Sequence, residues 1–380
     1  MRQVCETCNG CSACYLSCPT NAISLLLNSK GFYQAYIDEE KCVNCGNCNA
    51  VCVACKDAKY DIAKSQHYVG VSSNREILKK SSSGGIAFLL ASYIVNSGGV
   101  ACAVGYNVND NNAQHYIYKD IISLQQSQGS KYLQSNNSKA FAEAINTKGD
   151  VVVFGTPCQI AGLYEVLMKK GEKERFLLVD IFCHGVPSTK LWRNHLKDRG
   201  VQSHNNISGP SFRNNKKFIL KYSNYRKWYN QDGFMMLYLM NKYLNASCYA
   251  CPYRRKSSSD IRLGDLMSDK YSNLWYSPSC ICVNTQKGIE ALEGIKDQLE
   301  IYGIDYGEID QIQQKEILMT PEEVNPKYKK LEEQNITPRG LLGFRYYKNY
   351  AKSFIKIPLI LLRERFFTDD LESSLKKEKK

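Results

Sequence analysis

Cys8-x2-Cys11-x2-Cys14-x3-Cys18-Pro19 is repeated as Cys42-x2-Cys45-x2-Cys48-x3-Cys52 within the first fifty-odd residues. This is the spacing with which a chain wraps two four-iron, four-sulfur cubanes. Three thiolates on one tight loop serve one cluster, and the fourth cysteine, expected at the start of a following helix, reaches across to the other. The expected ligand sets are therefore crossed, with Cys8, Cys11, Cys14 and Cys52 on one cubane and Cys42, Cys45, Cys48 and Cys18 on the other.

Working outward, Pro19-Thr20-Asn21-Ala22-Ile23 can open a short helix and strand, and Gly31 to Ile37 alternates well enough for a hairpin. Residues 1 to about 60 resemble the bacterial two-cluster ferredoxin module. Val53 stands where the second run usually has proline, and Cys5 and Cys55 lie outside the pattern. Cys5 has the spacing to compete as a ligand, but only the later frame ends in x3-Cys-Pro. Zinc accepts C-x2-C pairs and a disulfide framework uses many cysteines, yet two x2-x2-x3 runs are too specific for either.

The chain has 380 residues, 17 cysteines and 43% hydrophobic composition, enough for a substantial core and two or three domains. Met1-Arg2-Gln3-Val4 leads into cysteines without an apolar leader, so a cytoplasmic, reducing setting is expected. The most apolar tail segment, Phe354 to Leu362, is too short to span a bilayer and is interrupted by Lys356 and Pro358. A soluble or membrane-peripheral protein follows.

Beyond residue 65 helix and strand signals alternate. Ser81-Ser82-Ser83-Gly84-Gly85 precedes an apolar helical stretch, Ile86 to Val95, and Gly98-Gly99 leads into a strand-like run, Val100 to Tyr106. Free amides at such a helix start can hold phosphate, although an ordinary capped helix reads the same way. Neither G-x-G-x-x-G nor a P-loop occurs. Two apolar runs, Val151 to Gly155 and Leu177 to Phe182, then each end in a turn with one cysteine, Cys158 and Cys183. Both read as buried parallel strands, whose carboxyl ends are where α/β sheets bind ligands. Adding the Cys248-x2-Cys251 pair gives a third four-cysteine set; the alternative is two core cysteines plus a zinc knuckle. Cys102 reads as a small core residue. Cys280 and Cys282, one residue apart, are read as facing opposite sides of a strand and as poor joint ligands.

Ser83-Gly84-Gly85, Gly129-Ser130-Lys131-Tyr132, Gly155-Thr156-Pro157-Cys158-Gln159, Cys183-His184-Gly185-Val186-Pro187-Ser188, Ser211-Phe212-Arg213 and Ser259-Asp260-Ile261-Arg262-Leu263-Gly264-Asp265 occur in that order. Over residues 65 to 290 this series resembles the family of coenzyme F420 hydrogenase/dehydrogenase beta subunits. The resemblance implies an α/β domain binding FAD, with Cys158, Cys183, Cys248 and Cys251 as ligands of a nearby third cubane. It implies Ser83, Gly84, Gly85, Lys131, Thr156 and Gln159 at the flavin. His184 is a candidate to donate to cluster sulfur or shuttle a proton, and Arg213 to hold an anionic group. Relatives are often associated with surface-polysaccharide synthesis, which these residues neither support nor exclude.

From Pro326 onward fourteen Lys/Arg stand against seven Asp/Glu, interleaved with Phe344, Tyr346, Tyr347, Tyr350, Phe354, Phe366 and Phe367. This pattern suits amphipathic helices on an anionic membrane surface, on a partner, or on the protein's own core. Nucleic acid is not expected, because no recognisable binding module accompanies the charge. The last residues, Lys376 to Lys380, are expected to be disordered.

The sequence thus predicts an α+β ferredoxin module over 1–64, an α/β flavin-binding domain over 65–320, and a basic amphipathic helical tail over 321–380. Its expected activity is that of an iron–sulfur flavoprotein oxidoreductase with two ferredoxin-type clusters, a third cluster and FAD. It would exchange electrons with a redox partner protein or a small molecule. The competing reading is a ferredoxin-like relay that catalyses nothing itself and carries a zinc or structural second domain.

Overall fold

The computed structural model describes residues 2–201, 209–313, 319–333, 335–363 and 371. In the N-terminal module Ile23–Leu27 and Tyr33–Ile37 form the expected antiparallel hairpin, joined at its edge by Arg2–Gln3. One placement differs from expectation: Cys18 does not open a helix but closes the short helix Ala13–Ser17. Pro19 disfavours helical geometry at the residue before it, and Cys18 is accordingly extended, with ψ of 115°.

The second region is built on an eight-stranded mixed sheet. Its order is Leu299–Gly303, Gln66–Ser72, Ser279–Val283, Ile261–Asp265, Phe176–Ile181, Val151–Gly155, Val100–Asn107 and Asn112–Tyr118. The four central strands, from Ile261–Asp265 to Val100–Asn107, are parallel, and antiparallel strands extend both flanks. Val151–Val153 and Phe176–Val179 are fully buried, as strands covered on both faces should be. Cys102 is completely buried beside them.

Cys280 and Cys282 correct the sequence reading. Both are buried in one apolar cluster, whereas Ile281 between them packs in another. Strand side chains alternate, so positions two apart share a face. Burial pushes both thiols up, Cys282 to about 12, and they serve as core residues.

The boundary expected at residue 320 is not a boundary in packing. Tyr328, Leu331, Ile336 and Leu341 enter the cluster built on Trp192, Phe212 and Phe234, and the Tyr328 hydroxyl donates to Leu244 O at 2.7 Å. The helix Phe344–Arg363 follows. Phe366, Phe367 and Lys376 to Lys380 lie outside the described residues. Among the described residues no helix is long and apolar enough to cross a membrane.

The N-terminal module is bound to the large sheet by a dense polar seam. Gln134 accepts from Tyr33 N at 2.7 Å and donates to Asn9 O at 3.2 Å, and Asn137 Nδ2 donates to Cys11 O at 3.0 Å. Ser188 Oγ donates to Lys30 O, and Thr189 N to Gly31 O. Gly31, with φ of 82°, permits this approach, since a Cβ there would sit 2.5 Å from Lys190 N.

Candidate redox site

The eight cysteines of the two runs come together within the N-terminal module. Cys8, Cys14 and Cys52 lie within electrostatic reach of Cys11, and burial raises the Cys11 thiol pKa well above its ordinary value. Cys14 is pushed up to about 12 by the same cause, reinforced by Cys8, Cys52 and Cys48. Thiols that burial keeps protonated need the positive charge of iron to become thiolates. Cys18, Cys42, Cys45 and Cys48 instead line one cavity of about 230 Å³, and Cys45 is exposed. Desolvation acts on Cys18 to raise its pKa, but donors from Thr20, Ala22 and Ile23 outweigh it and lower the value. The Ala22 N–H points at Cys18 Sγ at 3.3 Å.

The third set converges at the carboxyl edge of the parallel strands. Cys158 lies on the first turn of helix Pro157–Lys170, directly after strand Val151–Gly155, and Cys183 follows strand Phe176–Ile181. Cys251 and Cys183 are electrostatic neighbours of Cys158, and Cys183, Cys251 and Cys158 are neighbours of Cys248. Burial raises all three of Cys158, Cys183 and Cys248, Cys183 to about 11. Gly185, with φ of 107°, lets the Cys183 loop meet the Cys248 turn, because a Cβ there would lie 2.7 Å from Leu244 Cδ1 and 3.2 Å from Cys248 Cβ. Among the described residues no three His, Cys, Asp or Glu side chains form a single-ion site.

A buried ion pair to which the sequence reading assigns no role fixes this turn. Arg262 and Asp180, both fully buried, meet in a bidentate pair with two 2.7 Å contacts. Arg262 also donates to Tyr253 O, Arg254 O and Lys256 O, so its guanidinium holds the chain that follows Cys251. The signal that could have found the pair is an aspartate inside one apolar strand and an arginine inside the Ser259–Asp265 motif.

Helix Pro157–Lys170 joins the third set to the first. A Cβ on Gly162 would sit 2.9 Å from Cys11 Sγ, so only glycine allows the helix to lie against that thiol. Cys158 and Cys11 are themselves within electrostatic reach. Tyr253 fills the space beside them, buried with Cys11, Cys158 and Cys251, and its hydroxyl donates to Val53 O at 3.0 Å.

Among the residues expected at the flavin, Lys131 and the candidate anion holder Arg213 line a second cavity of about 400 Å³, with Lys79, Lys80, Lys221 and Ser82. Its described lining contains no acidic residue. Burial lowers the Lys221 pKa, and Arg226 and Lys217 lower it further, as crowded cations do. Arg213 Nε donates to Asn215 O, Nη1 contacts Asp265 and Tyr132, and the guanidinium lies over the Phe218 ring. Its buried Nη2 has no partner among the described residues. Lys131 is half-buried and donates to Gln126 O, Ser127 O and Gln128 O, so its ammonium holds its own loop. Burial pushes its pKa down to about 7.

Residues 67–142 match the amino-terminal model, and residues 149–306 the carboxyl-terminal model, of the family described as "Coenzyme F420 hydrogenase/dehydrogenase, beta subunit"; residues 7–54 match a 4Fe-4S dicluster domain. The chain belongs to this family of beta subunits. It is 21% identical over 313 residues to one of the subunits of the F(420)H(2) dehydrogenase of Methanosarcina mazei, covering 78% of this chain and 84% of that one. Its fold is similar to a chain of the F420-reducing [NiFe] hydrogenase complex from Methanosarcina barkeri, with a TM-score of 0.50, 19% identity, and coverage of 73% of this chain and 92% of that one.

The family's remaining motif residues take structural positions. Thr156 N–H and hydroxyl both donate to Gln159 Oε1 at 3.1 Å, which caps the helix, and Gln159 Nε2 holds Ser135. The Thr156 hydroxyl lies 3.3 Å from Cys158 Sγ. Gly84 N–H is committed to Ser279 Oγ at 3.0 Å, and a Cβ there would lie 2.3 Å from Gly70 O. Ser83 Oγ meets the same serine, and Gly85, with φ of 80°, starts helix Ile86–Asn96. These five residues do not line the basic cavity; its loop contribution comes from Ser81, Ser82 and the Gly129–Lys131 turn. His184 is exposed. Desolvation lowers its pKa, with Arg254 and Arg213 acting the same way, while a hydrogen bond with Gln313 and the charge of Asp265 act to raise it.

Proposed function

We propose that the chain is a flavin-dependent oxidoreductase component that transfers electrons. Cys8, Cys11, Cys14 and Cys52 would hold one cubane, Cys18, Cys42, Cys45 and Cys48 a second, and Cys158, Cys183, Cys248 and Cys251 a third, with FAD in the basic cavity. The bound groups would supply one-electron transfer at iron and two-electron exchange at FAD. The chain's own residues orient and shield. Lys79, Lys80, Lys221 and the Ser82 loop are suited to hold a diphosphate.

The observation that carries this reading is Arg213 Nη2, a buried cationic donor with no partner among the described residues, in a cavity lined by four lysines. An unpaired buried donor costs about 1–3 kcal/mol, and an anion would offset that cost. Tyr238 connects the cavity to the third cysteine set: it stacks on Tyr132 with ring centroids 4.6 Å apart and is within electrostatic reach of Cys183, Arg213 and Asp265. His184, within electrostatic reach of Asp265, would be the candidate proton carrier beside the third set. The exposed Cys45 loop suits docking of a redox partner protein. The names of the family and of the Methanosarcina mazei relative support a deazaflavin-class coenzyme as the two-electron partner.

FAD titration of the anaerobically purified chain tests the reading. Wild type should take up one FAD, and Arg213→Gln should weaken uptake about tenfold or more while leaving iron per chain unchanged. A wild-type chain that neither contains nor takes up flavin would overturn it.

A further inference from the structure

We propose that helix Phe344–Arg363 is a membrane-surface element, seated in the headgroup layer of an anionic bilayer. One face of the helix is already used. Tyr346 and Ser353 are buried, the Tyr346 hydroxyl donates to Gln231 O at 3.1 Å, and Gln231 Nε2 donates to Ser353 Oγ at 3.0 Å. On the opposite side stand Phe344, Tyr347, Phe354, Ile355 and Leu362, spaced at helical intervals and between 53% and 82% exposed. An amphipathic helix normally turns such a stripe toward its own core; this one turns it outward.

The charge pattern selects lipid as the occupant. Arg345, Lys348, Lys352 and Lys356 are exposed and recur at intervals of three and four, which puts them in one stripe bordering the apolar face. No Asp or Glu occurs from Phe344 to Arg363. A one-signed stripe beside an apolar face fits phosphate headgroups above acyl chains, with lysine stems lying along the boundary. Phe354 to Leu362, at about 1.5 Å per residue, is far too short to span a bilayer but long enough to rest within one leaflet.

Vesicle co-sedimentation of the full-length, anaerobically purified chain tests this. Binding is expected to phosphatidylglycerol-containing vesicles and not to pure phosphatidylcholine, and to weaken as salt rises. Replacing Lys348, Lys352 and Lys356 together with Gln should reduce partitioning roughly a hundredfold. Ile355→Asp with Leu362→Asp should abolish it, and both variants should retain wild-type iron content. A wild-type chain that ignores both vesicles would overturn the proposal, as would binding undiminished in the aspartate variant. Dimerisation that the aspartate variant abolishes, without vesicle binding, would assign the face to a second copy instead.

Discussion

The two N-terminal cysteine sets have the same spacing and opposite surroundings. Cys11 and Cys14 are each 8% exposed, Cys11 against helix Pro157–Lys170 and Cys14 against the N-terminal hairpin, whereas Cys45 is exposed and lines an open cavity. Spacing determines that four thiols can surround a cubane; neighbours outside the motif determine whether that cubane meets solvent. Gly162 and the Asn137–Cys11 hydrogen bond hold the first set inside. Among the described residues nothing lies within 4 Å of a Cβ built on Gly46 in the second loop. On the proposed reading the exposed set exchanges electrons with a partner and the buried set relays them to the third.

The largest expected difference comes from ligand removal. Cys11→Ser should lose about four irons and also lower stability by roughly 2–4 kcal/mol, because a hydroxyl replaces a thiol in a dry contact with Gly162 and Tyr253. Cys45→Ser should lose the same iron with little change in thermal midpoint beyond that site. Equal losses of stability would remove the asymmetry. Next, Gly162→Val should cost about 1–3 kcal/mol by overpacking against Cys11, read by thermal unfolding, and should alter the spectroscopic signature of the buried cubane alone. A chelator should remove about a third of the iron at least tenfold faster than the rest, since one set of three is open to solvent. Gly46→Ala should cost only about 1 kcal/mol, the strain of φ near 74° without a clash.

What the sequence reveals and what it conceals divide along the same line. Cysteine spacing, the strands Val151–Gly155 and Phe176–Ile181, and the core position of Cys102 are legible because each follows from local pattern. The approach of Gly162 to Cys11 is not, since a glycine inside a helical sequence gives no indication of what crosses it. Lys131 reads as a cation for phosphate, but its ammonium is turned onto carbonyls three to five residues away, a choice made by its turn. Tyr328, Leu331 and Leu341 sit in a stretch whose basic composition suggests a tail, although its apolar residues complete the core. The cavity lysines Lys79, Lys80 and Lys221 come from distant segments with no shared motif.

The central claim is that three cysteine sets hold three cubanes, with the buried set between the other two. Iron and acid-labile sulfide per chain, measured side by side on anaerobically purified wild type and Cys158→Ser, test it most directly. About twelve irons falling to about eight is the predicted result. About eight in both would contradict it, leaving Cys158 as a core residue and the large sheet without a cluster.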